Sequence, residues 1–182
     1  MTPIDVKKET RRIVRAAIKS MHTAEKEKQS NDLCNAALNH SAVKRASVIA
    51  LFAPLPDEPD IFPLIEELHK MCTVVLPRIS GDEMDFYTYS PTAMRSGSYG
   101  ISEPQGDTPV AGNEIDVIIV PGVAFTRQGY RLGRGKGYYD RYMSQKGFRA
   151  YKIGVCYLQQ IVETLPVETH DIRMDEMLCM CE

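Results

Sequence analysis

Between residues 4 and 21, Ile13, Val14, Ala17, Ile18 and Met21 recur at intervals of three and four, which makes one face of a helix apolar. Lys7, Lys8, Arg11, Arg12 and Arg15 lie off that face, and Lys7 and Arg11 are neighbours on one side of it. Thr23 stands where it can cap a second helix over 24–39, with Leu33, Cys34, Ala37 and Leu38 turned inward. Leu64, Ile65 and Leu68 predict a third helix over 61–71. The spacing then changes. Residues 48–52 (VIALF), 73–76, 115–120 (IDVIIV) and 151–156 are short apolar runs without alternation, as strands covered on both faces require. Pro77 is expected to stop the second run and leave Arg78 at its end. Over 84–89, Met84, Phe86 and Thr88 alternate with Asp85, Tyr87 and Tyr89, the pattern of a half-buried edge strand. A helix is expected to open over 137–146, a short turn or helix over 160–165 ended by Pro166, and a last strand over 176–181.

Helices alternating with apolar strands predict a three-layer α/β/α sandwich with a mostly parallel sheet, as one domain over 1–182. Two segments fall outside the regular elements. Residues 90–113 carry Pro91, Gly97, Gly100, Pro104, Gly106, Pro109 and Gly112 and read as a long loop. Irregular segments of that length are more often functional than filler. Residues 53–60 (APLPDEPD) follow the strand at 48–52 and are stiffened by prolines. Open α/β sheets bind their ligands at that edge, so Glu58 can face a ligand there or simply be solvated.

Composition removes several classes. The net charge of −2 gives no global attraction to nucleic acid or to an anionic membrane. Five cysteines without a C-x-x-C pair, and four histidines without ligand spacing, indicate neither a disulfide framework nor a zinc site. No apolar run approaches the ~20 residues of a membrane helix. The N-terminus is charged and lacks the apolar stretch of a signal peptide, so a cytoplasmic protein is expected.

The candidate chemistry is concentrated in residues 121–143, PGVAFTRQGYRLGRGKGYYDRYM. Gly129, Gly133, Gly135 and Gly137 are interleaved with Arg127, Arg131, Arg134, Lys136 and Arg141, against the single acid Asp140. Glycines let backbone N–H groups approach an anion, and the cations add charge. A strand, a basic glycine loop and a helix start together make a cradle for polyphosphate. The loop is neither a P-loop, since Gly137 follows Lys136, nor a dinucleotide fingerprint, since its glycines are spaced G-x-G-x-G. A solvated surface loop has the same composition. Tyr138, Tyr139 and Asp140 favour a site, supplying a stacking face and a metal ligand.

This stretch resembles the signature of the 5-formyltetrahydrofolate cyclo-ligase family. The likeness extends along nearly the whole chain: Lys7-x-x-x-Arg11, Pro56-Asp57-Glu58, Leu76-Pro77-Arg78, Tyr99-Gly100-Ile101-Ser102-Glu103-Pro104, then Gln160, Leu165-Pro166 and His170-Asp171, in the family's order. Family members usually carry Asp after the Ala-Phe or Gly-Phe pair; Thr126 stands there, which leaves no acid to act at that position. The resemblance implies a fold like that of sugar-phosphate isomerases and CoA transferases. It implies closure of 5-formyltetrahydrofolate to 5,10-methenyltetrahydrofolate with ATP and Mg²⁺, releasing ADP and phosphate. Lys7, Arg11 and residues Arg131, Leu132, Gly133, Arg134, Gly135, Lys136, Gly137, Tyr138 and Tyr139 would then hold ATP. Ala53, Glu58 and Tyr99, with Arg134, Gly135, Lys136, Gly137 and Tyr138, would meet the folate. Arg134, Lys136 and Tyr138 would act in catalysis, and Asp140 and Asp171 would ligate the metal. The implied partners are ATP and reduced folates, for a monomer or weak homodimer. An isomerase-like enzyme on the same fold, needing no ATP, and a nucleotide-binding module share the basic loop.

Overall fold

The computed structural model describes residues 2–97, 100 and 102–180. The helices are α1 (Pro3–Ser20), α2 (Thr23–Asn39), α3 (Ser41–Arg45), α4 (Phe62–His69) and α5 (Tyr138–Met143). The strands are β1 (Val48–Ala50), β2 (Thr73–Ser80), β3 (Glu83–Thr88), β4 (Met94–Ser96), β5 (Ser102–Pro104), β6 (Val117–Val120), β7 (Ala124–Phe125), β8 (Arg131–Leu132), β9 (Tyr151–Val155) and β10 (Glu176–Leu178). Six of them form one sheet in the order β10-β9-β6-β1-β2-β3, parallel throughout except between β2 and β3. The expected α/β class with a mostly parallel sheet is what the chain adopts.

The apolar runs are continuous because the sheet is covered twice. Ile49, Val74, Val117 and Ile119 face a core shared with α2, α3 and α4, while Ala50, Val75, Ile118 and Val120 face Tyr142 and Met143 of α5. The helix α1 joins neither layer. Its Val14 and Ile18 pack on Val123, Ala124, Leu132 and Tyr157, beyond the carboxyl ends of the strands. Ile18 is 1% exposed, so burying it contributes about 1.5–3 kcal/mol to holding α1 there. Thr2 and Asp5 close a reciprocal capping box at its start, with Pro3 in the first turn.

Several local expectations are corrected. Ile13 is exposed, because the buried stripe of α1 is the narrower Val14–Ile18 line. His22 caps α2 without a side-chain bond, and Thr23 lies inside the helix. Residues 90–113 are not all loop, since β4 and β5 pair antiparallel within them. Of 160–165, only Gln160 falls in a short helical turn, Leu158–Gln160. The expected final strand also ends earlier, and Cys181 lies outside the described residues.

Pro77 does not stop β2, which runs on to Ser80. Val110 N–H donates to Phe86 C=O at 2.8 Å on the side of β3 away from β2, so Phe86 and its partner Pro77 form a pair without mutual hydrogen bonds. The proline nitrogen therefore faces the β1 side, where Leu51 N–H still donates to Val75 C=O at 2.9 Å. Having no N–H, Pro77 cannot carry that parallel ladder further, so it ends the pairing with β1 and leaves β2 paired with β3.

The chain steps outward from β1 to β2 and β3, then returns to place β6 on the other side of β1. Strand order reverses between β1 and β6, and the carboxyl ends of diverging connections leave a crevice at such a point. Among the described residues, no helix is long and apolar enough to cross a membrane.

Candidate active site

A cleft of about 900 Å³ lies at that crevice. Its apolar lining comes from Phe52, Ala53, Pro77, Ile79 and Met84, and its polar lining includes Glu58, Arg131, Arg134, Lys136 and Tyr138. The loop after β1 supplies the acid. Glu58 N–H donates to Leu55 C=O at 2.9 Å, and Glu58 Oε2 accepts Leu55 N–H at 2.9 Å, so the prolines and the carboxylate close one tight turn. Tyr157 O–H donates to Glu58 C=O at 3.1 Å. Tyr157 Oη also lies 3.4 Å from Ser30 Oγ, which accepts Asp60 N–H at 3.0 Å. The loop is thus tied to α2 and to the end of β9. Glu58 is 7% exposed, and burial pushes its carboxyl above the usual range despite the neighbouring Arg134 charge.

The base arrives from the other side of the switch point. After β6, Pro121-Gly122 leads into the β7–β8 hairpin. Buried Gln160 donates to Gly122 C=O at 2.7 Å and accepts Tyr157 N–H at 2.8 Å, fixing this turn to the one beside Glu58. The hairpin tip is made by Thr126 and Gly129. Gly129 has φ +91°, and a Cβ there would come 2.6 Å from Met174 C=O. Leu132 does not enter the cleft with its side chain, which packs under α1.

Residues 133–137 form the glycine-rich loop. Arg11 of α1 donates from Nε to Gly133 C=O at 2.9 Å, and Gly137 at φ +68° turns the chain into α5. Arg134 spans the cleft. Its Nη2 and Nε lie 2.9 and 3.2 Å from Glu58 Oε1, while Asp57 grips the other side of the guanidinium. Burial opposes the Arg134 charge, but the bonds to Asp57 and Glu58 outweigh it and raise its pKa. Lys136 lines the same cleft and has no ion-pair partner among the described residues. Tyr138 donates to Gly81 C=O at 3.2 Å. The Tyr139 ring packs near Arg131 and Phe86, and burial pushes its phenol up.

Asp140 is not free. Its Oδ2 accepts Arg131 Nη2–H at 2.6 Å, and its Oδ1 accepts Ile172 N–H at 3.1 Å. That second bond brings the 168–171 turn to the cleft margin. There Asp171 Oδ2 accepts Glu168 N–H at 2.8 Å and faces Lys7 Nζ at 3.1 Å. Burial opposes ionisation of Asp171, but these two donors hold its carboxyl below the usual range. Asp140 thus bonds the residue that follows Asp171, while the Asp171 carboxylate is held by Lys7 and Glu168 N–H.

Of the predicted site residues, Ala53, Glu58, Arg131, Gly133, Arg134, Lys136, Gly137, Tyr138, Tyr139 and Asp140 line one cleft. Lys7, Arg11, Gly135 and Asp171 stand behind or beside it, and Tyr99 lies outside the described residues. Reading the sequence missed Asp57, which holds Arg134, and Gln160, which holds both turns. Both stood in motifs that carry the family resemblance, Asp57 in Pro56-Asp57-Glu58 and Gln160 ahead of Leu165-Pro166, but their roles were not legible because each depends on a partner across the fold. Thr126 has a structural task instead of the family's acid. It is 2% exposed, and its Oγ1 accepts Tyr130 N–H at 3.2 Å across the hairpin tip. Thr126→Val strands that N–H and is expected to cost about 1–3 kcal/mol. Urea unfolding checks the cost, and calorimetry with ligands should show unchanged affinities.

Comparison with known proteins agrees with this geometry. Residues 3–180 match the model of the 5-formyltetrahydrofolate cyclo-ligase family. The mouse 5-formyltetrahydrofolate cyclo-ligase is 25% identical, over 98% of this chain and 95% of its own length. The solution structure of 5,10-methenyltetrahydrofolate synthetase from Aquifex aeolicus is 35% identical with a TM-score of 0.86, covering 96% of this chain and 89% of that one. The Mycoplasma pneumoniae synthetase gives 25% identity and a TM-score of 0.76, covering 94% and 96%.

Proposed function

The chain belongs to the 5-formyltetrahydrofolate cyclo-ligase family, and on that premise we propose that it uses ATP and Mg²⁺ to close 5-formyltetrahydrofolate to 5,10-methenyltetrahydrofolate, releasing ADP and phosphate. Cyclo-ligase activity goes with that membership. The observation that carries the finer reading is Arg134, which joins the buried acid Glu58 to the basic glycine loop across one cleft.

An amide oxygen is a poor leaving group, so ring closure needs activation. The formyl oxygen attacks the γ-phosphorus of ATP, and ADP leaves. N10 of the folate then attacks the activated carbon and gives up its proton to the medium, the C–O bond breaks, and phosphate departs. Phosphoryl transfer of this kind asks the protein for positioning and charge. Lys7, Arg11 and residues 131–139 hold the triphosphate, Leu132 through its backbone alone, with Arg134 and Lys136 nearest the transferred group. A charge-assisted bond contributes roughly 1.5–3 kcal/mol. Glu58 accepts from the pterin's N–H groups, Ala53 lines the folate's place, where the family resemblance also assigns Tyr99, and Tyr138 faces the formyl group.

Asp140 and Asp171 would hold Mg²⁺. They fit it: both are carboxylates, Asp140 is bonded to the residue next to Asp171, and each already carries a cationic side chain. Bound there, the ion would neutralise charge on the phosphates. We take the working form to be a cytoplasmic monomer or weak homodimer that binds no nucleic acid. The test is methenyl absorbance with ATP or Mg²⁺ omitted in turn. Product is expected only with both; equal formation without ATP would sink the reading and favour an isomerase-like enzyme.

A further inference from the structure

Lys7 Nζ lies 2.6 Å from Glu168 Oε2 and 3.1 Å from Asp171 Oδ2, with 14% of its side chain exposed. The ligand atoms of Glu168, His170 and Asp171 all fall within 4.8 Å of one another. An ammonium thus sits in an acidic cluster beside the cleft. Arg131, 3% exposed at its side chain, sits in the same way on Asp140 at 2.6 Å. Burial works against the Lys7 charge, yet its two carboxylate partners more than compensate. Two of the cations assigned to ATP, Lys7 and Arg131, are therefore committed to the carboxylates assigned to the metal.

We propose that Glu168 is a positioning residue that parks Lys7 against Asp171, so that Lys7 holds the place of the divalent cation until nucleotide arrives. This rests on the reading above, in which Lys7 serves ATP and Asp171 the metal. A divalent ion arriving alone meets an ammonium already seated on Asp171. A triphosphate arriving alone must draw Lys7 away from two carboxylates. Arriving together, they exchange partners: Lys7 passes to phosphate oxygen and Asp171 is released to the metal. Each binding event removes the obstacle to the other, so the two are coupled. Glu168 is half exposed at its side chain and stays paired with Lys7 only while the phosphates are absent.

The test uses the full chain with Mn²⁺ followed by electron paramagnetic resonance, and a non-hydrolysable ATP analogue followed by calorimetry. Lys7→Met is expected to move the two affinities in opposite directions. It should bind Mn²⁺ alone about tenfold more tightly than wild type, and the analogue with Mn²⁺ about tenfold more weakly, the size of one charge-assisted contact. Glu168→Gln should bind the analogue without metal several-fold more tightly than wild type, because one competitor for Lys7 is gone. A purely structural ion pair would give no such gain. Unchanged nucleotide-free Mn²⁺ affinity in Lys7→Met, with analogue binding weakened, overturns the place-holding role and leaves the functional reading standing. Unchanged analogue affinity in Lys7→Met overturns the assignment of Lys7 to ATP itself. Equal or weaker metal-free analogue binding in Glu168→Gln overturns the role of Glu168.

Discussion

Asp140→Asn is expected to abolish most turnover and to cost the fold about 3–5 kcal/mol, the penalty for leaving a buried charge without its partner. The charge is Arg131, whose side chain is 3% exposed and whose Nε has no hydrogen-bond partner. Asparagine keeps one oxygen for Ile172 N–H but brings no charge to the guanidinium. A capping role would predict otherwise, since Asn caps nearly as well as Asp, but the cap of α5 is Gly137. Stability and catalysis can be separated. The double change Asp140→Asn with Arg131→Met removes both charges, and denaturant unfolding should show most of the stability restored. Turnover should stay low, because the carboxylate proposed for the metal is still missing. For the single variant, rate against Mg²⁺ should recover partly at high concentration, since phosphate oxygens still offer ligands. Rate curves that superimpose on wild type would confine Asp140 to a structural role.

The second large effect is expected at Arg134. Arg134→Ala should lower kcat/KM on the order of 10³-fold, the lower end of what a cation on a transferring phosphoryl group supplies. It should also shift the pH profile. Burial raises the Glu58 carboxyl, and the Arg134 charge is among the influences that pull it back down. Without Arg134 the pKa rises further, so Glu58 takes up its proton at a higher pH. Protonated Glu58 cannot accept through both oxygens from the pterin N–H groups proposed for it. The acid limb of kcat/KM should therefore move to higher pH in Arg134→Ala and vanish in Glu58→Gln. An acid limb that stays in place in Arg134→Ala would separate the two residues.

Legibility in the sequence followed the range of the interaction. The continuous apolar runs announced buried parallel strands, because each face of β1, β2 and β6 meets its own core. The basic glycine loop was visible because a cradle for anions has to be written in consecutive residues. Its carboxylate partners were visible one by one, as Glu58, Asp140 and Asp171. Their present pairings with Arg134, Arg131 and Lys7 were not, since each pairing is set by the packing of α1, the β7–β8 hairpin and the 168–171 turn. Gln160 and Asp57 were hidden for the same reason. The ends of elements were misread where tertiary context prevailed. Thr23 had a capping residue's chemistry at a site His22 occupies, and Pro77 looked like a stop because a proline's cost depends on which neighbour its nitrogen would have faced.

That proline has a consequence for the molecule as a solute. Beyond Val75, β2 pairs with β3 on one side and has no paired strand on the other among the described residues, although β5 packs close by and Arg78 Nη1 donates to Pro104 C=O at 3.3 Å. An extended peptide or the strand of another molecule could add itself to such an edge and would fill the ligand's place. Pro77 offers that visitor no N–H, and Arg78 beyond it brings a charge. The edge can stay open to a folate while remaining closed to a polypeptide.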